Sequence, residues 1–102
     1  MDVRKENGQI RFRNACGSTP ADGPDVMFEP LRSFATGEVI EGFPRTVREV
    51  AALEETVVRC ILEHLNLPNW GSVLARKYRI LSSCGVMFEG TLEELGQLRK
   101  GD

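Results

Sequence analysis

The sequence predicts an α+β domain, in which a mostly antiparallel sheet packs against one long helix and a short helix lies near the C-terminus. Apolar residues recur at helical spacing between residues 46 and 66, and short segments on either side alternate apolar and polar side chains. Turn-forming Gly and Pro residues separate these segments. Because strand-like segments do not alternate regularly with helices, we expect antiparallel pairing rather than parallel βαβ units.

The first predicted strand covers residues 8–14, where Ile10 and Phe12 alternate with Arg11 and Arg13. A period of two places the apolar pair on one face of a half-buried strand. Residues 15–25 are rich in Gly and Pro and predict a mobile loop, a kind of segment that often carries function. Residues 26–43 predict a β-hairpin with its turn at residues 35–38, where a glycine can supply the positive φ that hairpin turns need.

The long helix is predicted over residues 46–66. Thr46 and Glu49 have the spacing of a capping box at its start, and Asn66 and Pro68 are typical of its end. Its apolar stripe is unusually wide, and consists of Val47, Val50, Ala51, Leu53, Val57, Val58, Ile61, Leu62 and Leu65.

The segment that follows has two interpretations. Residues 77–82 alternate like a strand, which we favour, but a helix from Ser72 to Leu81 fits the same apolar residues almost as well. A turn is then predicted at residues 82–85 and a short strand at 86–88. The spacing of Thr91 and Glu94 predicts a second capping box, which opens a short helix through Leu98.

Composition limits the function. The chain has 102 residues, enough for a single domain over 1–102, and a net charge of −2, which argues against a general nucleic-acid or membrane-surface binder. No apolar run approaches the roughly 20 residues of a membrane span. The polar N-terminus and the odd number of cysteines, 3, lead us to expect a reducing, cytoplasmic location.

No complete catalytic, metal or cofactor motif is present in the sequence. Cys60 and His64 share a helix face, but the close ligand pairs of a zinc site are missing, so these two are weak metal candidates. Cys16 could be a loop nucleophile only with a histidine base nearby, and His64 is the one histidine. Phosphate-binding glycine loops are absent. We therefore expect neither an enzyme nor a bound cofactor.

The leading hypothesis is a non-catalytic protein-interaction or adaptor domain that forms a homodimer. The wide apolar stripe exceeds what one thin sheet would cover, which predicts an interface through Val58, Leu62, Leu65 and Trp70. Tryptophan is enriched at interfaces because it combines a large apolar area with one hydrogen-bond donor.

Two alternatives belong to other classes. Residues 70–81 carry three positive charges and no acid, so Arg76, Lys77 and Arg79 could contact DNA phosphates from a helix-turn-helix. The slightly acidic chain makes nucleic acid the less favoured partner. The second alternative is a small-ligand or metal-binding domain, or a minor enzyme, centred on Cys16, Cys84, His64 and Trp70.

Overall fold

A computed structural model of the protein describes residues 2–17, 25, 27–86 and 92–98. Over these residues the chain is helical and contains no sheet, so the predicted α+β class is wrong. An isolated antiparallel bridge joins Arg32 and Val39. The helices in the described part of the chain are α1 (Val3–Gly17), α2 (Val47–Ala51), α3 (Glu55–His64), α4 (Val73–Cys84) and α5 (Leu92–Leu98).

Helix α4 is the centre of the packing, since it contacts each of the other four helices. Helix α4 includes residues 77–82, so the strand favoured there is wrong and the helical alternative is right. Ser72 caps its start by accepting a hydrogen bond from the Ala75 amide at 3.1 Å, as the helical interpretation expects. The fully buried apolar residues of α4 meet those of the other helices in one core, which includes Ile80, Leu81, Cys84, Val50, Val58, Ile61, Leu62 and Leu95.

Helix α1 replaces the strand predicted over residues 8–14. Its inward face carries Asn7, Ile10 and Asn14, while Phe12 is 70% exposed. Residues two apart lie about 200° apart around a helix, so Ile10 and Phe12 cannot share a face. The strand prediction fails because two of the three inward residues are asparagines, which a hydrophobic pattern does not register. The helix also takes in residues 15–17 of the predicted loop; residues 18–24 lie outside the described residues.

Asn7 and Asn14 hold the following segment along α1. Asn7 Nδ2 donates to the Arg32 carbonyl at 2.9 Å, and the Arg32 amide donates to Asn7 Oδ1 at 2.7 Å. Asn14 makes the same pair with Glu29, at 3.0 and 2.8 Å. Seven helical residues rise about 10.5 Å, a distance that three residues of chain reach only when nearly extended. The segment therefore runs extended beside α1, and side-chain amides supply the hydrogen bonds that a neighbouring strand would supply in a sheet.

Only the turn of the predicted hairpin over residues 26–43 is present. The Ser33 amide donates to the Glu38 carbonyl and the Gly37 amide to the Ser33 carbonyl, both at 2.8 Å, and Gly37 has a φ of +78°. Pairing does not extend into two strands in the described part of this segment, because the chain turns again at Ile40, whose carbonyl accepts from the Phe43 amide at 3.1 Å. Residue 26 lies outside the described residues.

The predicted long helix is two helices, α2 and α3. In a continuous helix the Ala51 carbonyl would accept from the Glu55 amide. Here it accepts from Lys77 Nζ at 2.7 Å, and α3 starts anew at Glu55. The predicted cap is confirmed: Thr46 Oγ1 accepts from the Glu49 amide at 3.1 Å. The break itself contains no Gly or Pro, so nothing local in the sequence marks it.

The ends of α3 and α4 have the same geometry. Asn66 adopts a φ of +56°, and the Leu67 amide donates to the Leu62 carbonyl at 2.9 Å, which is the Schellman arrangement. Gly85 repeats it after α4 with a φ of +82°. The predicted stop at Asn66 is thus confirmed. The turn predicted at 82–85 is wrong for residues 82–84, which are helical.

Near the C-terminus, α5 confirms a short helix, but the Thr91 cap and residues 87 and 88 of the predicted strand lie outside the described residues. Of the described helices, none has the length and apolar character needed to span a bilayer.

Candidate interaction surface

Two of the three basic residues of α4 point into the protein. Lys77 is 1% exposed, and its ammonium group holds the C-terminal carbonyl of α2 described above. A cation is favoured at this position because the C-terminal end of a helix carries a partial negative charge. Lys77 therefore ties α2 to the central helix.

Arg76 has an equivalent role at the start of α3. Its guanidinium donates to Glu55 Oε1 at 3.1 Å and to Asn69 Oδ1 at 3.2 Å, and only 7% of the residue is exposed. Of the three residues predicted to contact DNA, Arg76 and Lys77 are thus engaged inside the protein. This arrangement does not favour the helix-turn-helix interpretation, because a phosphate backbone needs cations at the surface.

Arg79, the third basic residue, lies at the surface against Trp70. Its guanidinium carbon is 4.3 Å from the centre of the indole ring, a cation–π geometry. Arg79 Nη1 also donates to the carbonyls of Pro68 and Trp70, at 2.7 and 3.0 Å. Gly71, with a φ of +100°, lets the chain turn between the indole and α4. Trp70 is 70% exposed, and one face of its indole lies against the Arg79 guanidinium.

A small cleft of about 30 Å³ is connected to this pair through the chain, because Leu67 precedes Pro68 and Ser83 lies one helical turn after Arg79 on α4. Its walls include Leu67, which precedes Pro68 in the chain, Phe34, which is 36% exposed, and Arg11. Arg11 is held in place because its Nε donates to the Ser83 carbonyl at 2.7 Å. We call Arg11, Phe34, Leu67, Trp70 and Arg79 together the Trp70 surface. It combines three apolar side chains with two guanidinium groups.

The predicted dimer interface divides between core and surface. Val58 and Leu62 are fully buried and Leu65 is 4% exposed, so all three pack within the protein. Trp70 is the one member of the predicted set that is exposed. The wide apolar stripe that suggested a partner belongs to two helices: α4 packs on both α2 and α3, α5 packs on α2, and Leu31 and Phe34 of the segment before α2 lie against Leu65.

The cysteines and the histidine do not converge. Cys16 and Cys60 are exposed, whereas Cys84 is buried, and burial raises the pKa of the Cys84 thiol to about 12. His64 Nδ1 lies 2.7 Å from Ser33 Oγ and so is engaged within the protein. Within the residues that the structure describes, no group of three or more metal-binding side chains is found.

The Ser33–His64 contact has the distance of a catalytic pair but a structural environment. Ser33 is 1% exposed, and its Oγ accepts from the Ala35 amide at 3.0 Å in addition to its hydrogen bond with His64 Nδ1. A buried hydroxyl that already serves a backbone amide cannot reach a substrate. The pair instead fixes the turn after Ser33 to the end of α3, where the Phe34 amide also donates to the His64 carbonyl at 2.8 Å.

Sequence reasoning singled out Trp70 as a candidate, but it did not single out Arg11, Phe34 or the pairing of Arg79 with Trp70. The nine-residue separation of Arg79 and Trp70 gives no periodic signal, and Arg11 belongs to a helix that was predicted as a strand. Comparison of the chain with family models, with curated proteins and with solved structures gave no match.

Proposed function

We propose that this protein is a non-catalytic interaction domain that binds a protein partner through the Trp70 surface. The observation that carries the proposal is the exposed indole of Trp70, held in place by Arg79. Trp and Arg are the residue types most enriched among those that dominate binding energy at protein interfaces. A fixed side chain loses little conformational entropy on binding, which favours affinity.

The chemistry of the surface indicates the partner. Among the described residues that line the small cleft, Arg11 is the charged one, and Arg79 carries a second guanidinium one helical turn before Ser83 of the cleft wall. Phe34, Leu67 and Trp70 supply apolar area. The complementary partner is a protein segment that carries both acidic and apolar side chains, since opposite charge steers association and apolar burial supplies affinity.

Selection of displayed peptides tests this partner chemistry. We expect the wild-type protein to enrich peptides that combine Asp or Glu with aromatic or aliphatic residues. For the strongest peptide, Trp70→Ala should weaken binding by about 30-fold or more, the loss typical of a dominant interface residue. Arg79→Gln should also weaken binding, because it removes both a charge and the support of the indole.

Phe12→Ala is the matched control, because Phe12 is as exposed as Trp70 but lies on the outward face of α1. Its affinity should equal that of the wild type within about twofold. If Trp70→Ala and Phe12→Ala reduce the affinity equally, or if neither does, the Trp70 surface is not the binding site.

A second copy of the chain is the other candidate occupant, because Trp70 was part of the predicted homodimer interface. Native mass spectrometry of the purified protein distinguishes a different protein partner from a second copy of the chain. A monomer supports a different protein as partner, whereas a dimer that Trp70→Ala dissociates would assign the same surface to self-association.

A further inference from the structure

A second cleft, of about 310 Å³, lies on another part of the molecule, between the C-terminal half of α1 and the chain that precedes α2. Its walls include Arg13 and Asn14 from α1, Met27, Phe28 and Glu29 from the extended segment, and Arg45. This volume is at the lower end of the range found for small-molecule sites.

Arg45 is positioned by its surroundings but has its terminal nitrogens free. Its Nε donates to the Phe28 carbonyl at 3.3 Å. Its backbone is fixed on both sides: the Phe28 amide donates to the Arg45 carbonyl at 2.8 Å, and the Arg45 amide donates to Glu49 Oε1 at 3.1 Å. Across the described residues, neither Nη1 nor Nη2 of Arg45 has a hydrogen-bond partner. Those two nitrogens form the edge that binds a carboxylate in a bidentate manner.

The other charges of the cleft balance each other. Arg13 Nε and Nη2 donate to the two carboxylate oxygens of Glu29 at 2.7 and 3.2 Å. These hydrogen bonds lower the pKa of Glu29, so its carboxylate stays ionised and the pair is neutral overall. Among the described residues that line the cleft, Arg45 then carries the positive charge in excess, and this charge also contributes to the lowered pKa of Glu29. Met27, which is 65% exposed, supplies an apolar wall beside it.

We propose that this cleft binds a small molecule with one carboxylate and one apolar group. The carboxylate lies on Nη1 and Nη2 of Arg45, where it neutralises the surplus charge. The apolar group packs on Met27 and removes its side chain from water. This inference is independent of the Trp70 surface, since the two sites share no residue.

Benzoate is the probe, and an amide-resolved NMR titration is the measurement. We expect saturable shifts at the amides of Asn14, Phe28, Glu29 and Arg45. Benzamide, which has the same shape without the charge, should produce none of comparable size. Arg45→Gln should weaken benzoate binding at least tenfold, since hydrogen bonds to charged groups contribute more than neutral ones. Met27→Ala should weaken it less.

The control is Arg59→Gln, which makes the same change of charge at an exposed position of α3 that lines neither cleft. It should bind benzoate as the wild type does. The Arg45→Gln spectrum itself shows whether the fold is retained, and Arg45→Lys, which keeps the charge but loses the bidentate edge, should bind with intermediate affinity. The proposal is overturned if benzoate causes no saturable shift, if Arg45→Gln binds it unchanged, or if inorganic phosphate binds as tightly, since the apolar wall would then contribute nothing.

Discussion

Removal of the Asn14 side chain should destabilise the protein more than removal of any exposed polar side chain of α1. Asn14 is 5% exposed and makes at least three hydrogen bonds, to both backbone groups of Glu29 and to the Cys84 carbonyl. It therefore joins α1 to the extended segment and to the end of α4. In Asn14→Ala those backbone groups lose their partner, and the Cys84 carbonyl loses it in a buried environment.

The expected cost follows from the number of bonds. A typical hydrogen bond contributes about 0.5–1.5 kcal/mol net, so the three bonds of Asn14 predict a loss of about 2–4 kcal/mol. Asn7 makes two such bonds to Arg32, so Asn7→Ala should lower the free energy of unfolding by about 1–3 kcal/mol. A domain of this size has a free energy of unfolding of about 5–15 kcal/mol, so Asn14→Ala removes a substantial part of it.

Urea unfolding followed by circular dichroism measures these losses. Gln9→Ala is the matched control, because it removes an amide side chain from the exposed side of the same helix and should change stability by less than about 0.5 kcal/mol. Asn14→Asp should be at least as unstable as Asn14→Ala at neutral pH, since its carboxylate would face two carbonyl oxygens. Equal stabilities for Asn14→Ala and Gln9→Ala would show that the side-chain amides do not hold the segment.

Two further predictions concern the end of α4. Because burial raises the Cys84 pKa to about 12, the native state keeps the thiol protonated, so stability is full below about pH 9 and falls as the pH rises towards 12. The loss is about 1.4 kcal/mol per pH unit. Urea titrations should therefore show a steeper loss of stability between pH 9 and 12 in the wild type than in Cys84→Ala. Iodoacetamide should modify native Cys60 but not Cys84. Gly85→Ala should lower the Tm, because φ is +82° there and a Cβ would overlap the Arg11 carbonyl. Gly8→Ala, where a Cβ meets open space in mid-helix, should maintain or raise the Tm.

The capping signals in the sequence were the reliable part of the prediction. Thr46, Ser72 and Asn66 each act at the helix end where the sequence placed them, because a cap is a local interaction among neighbouring residues. The fold class, in contrast, does not depend on neighbouring residues alone. Ile10 and Phe12 alternate like strand residues, and the asparagines that reveal the true inward face of α1 are polar.

Lys77 shows why the candidate site was only partly predictable. A lysine in a basic run is usually solvated, and its burial depends on a carbonyl 26 residues earlier, at Ala51. The same bond supplies a partner to the carbonyl that the break between α2 and α3 leaves without its helical one. Trp70 could be singled out from the sequence by its residue type, but Arg79 was predicted to contact DNA instead. The turn that brings Arg79 against Trp70 depends on Gly71, and the spacing of the two residues does not reveal it.

The most direct test of the interaction account is the indole resonance of Trp70 during titration with the strongest selected peptide. The chain has 1 tryptophan, so its indole N–H gives a single, unambiguous NMR signal. We predict that this signal and the Leu67 amide shift together, with the same binding curve, as the peptide covers the Trp70 surface. If the peptide binds and shifts other amides while the indole signal stays in place, the partner occupies a different surface and the account is wrong.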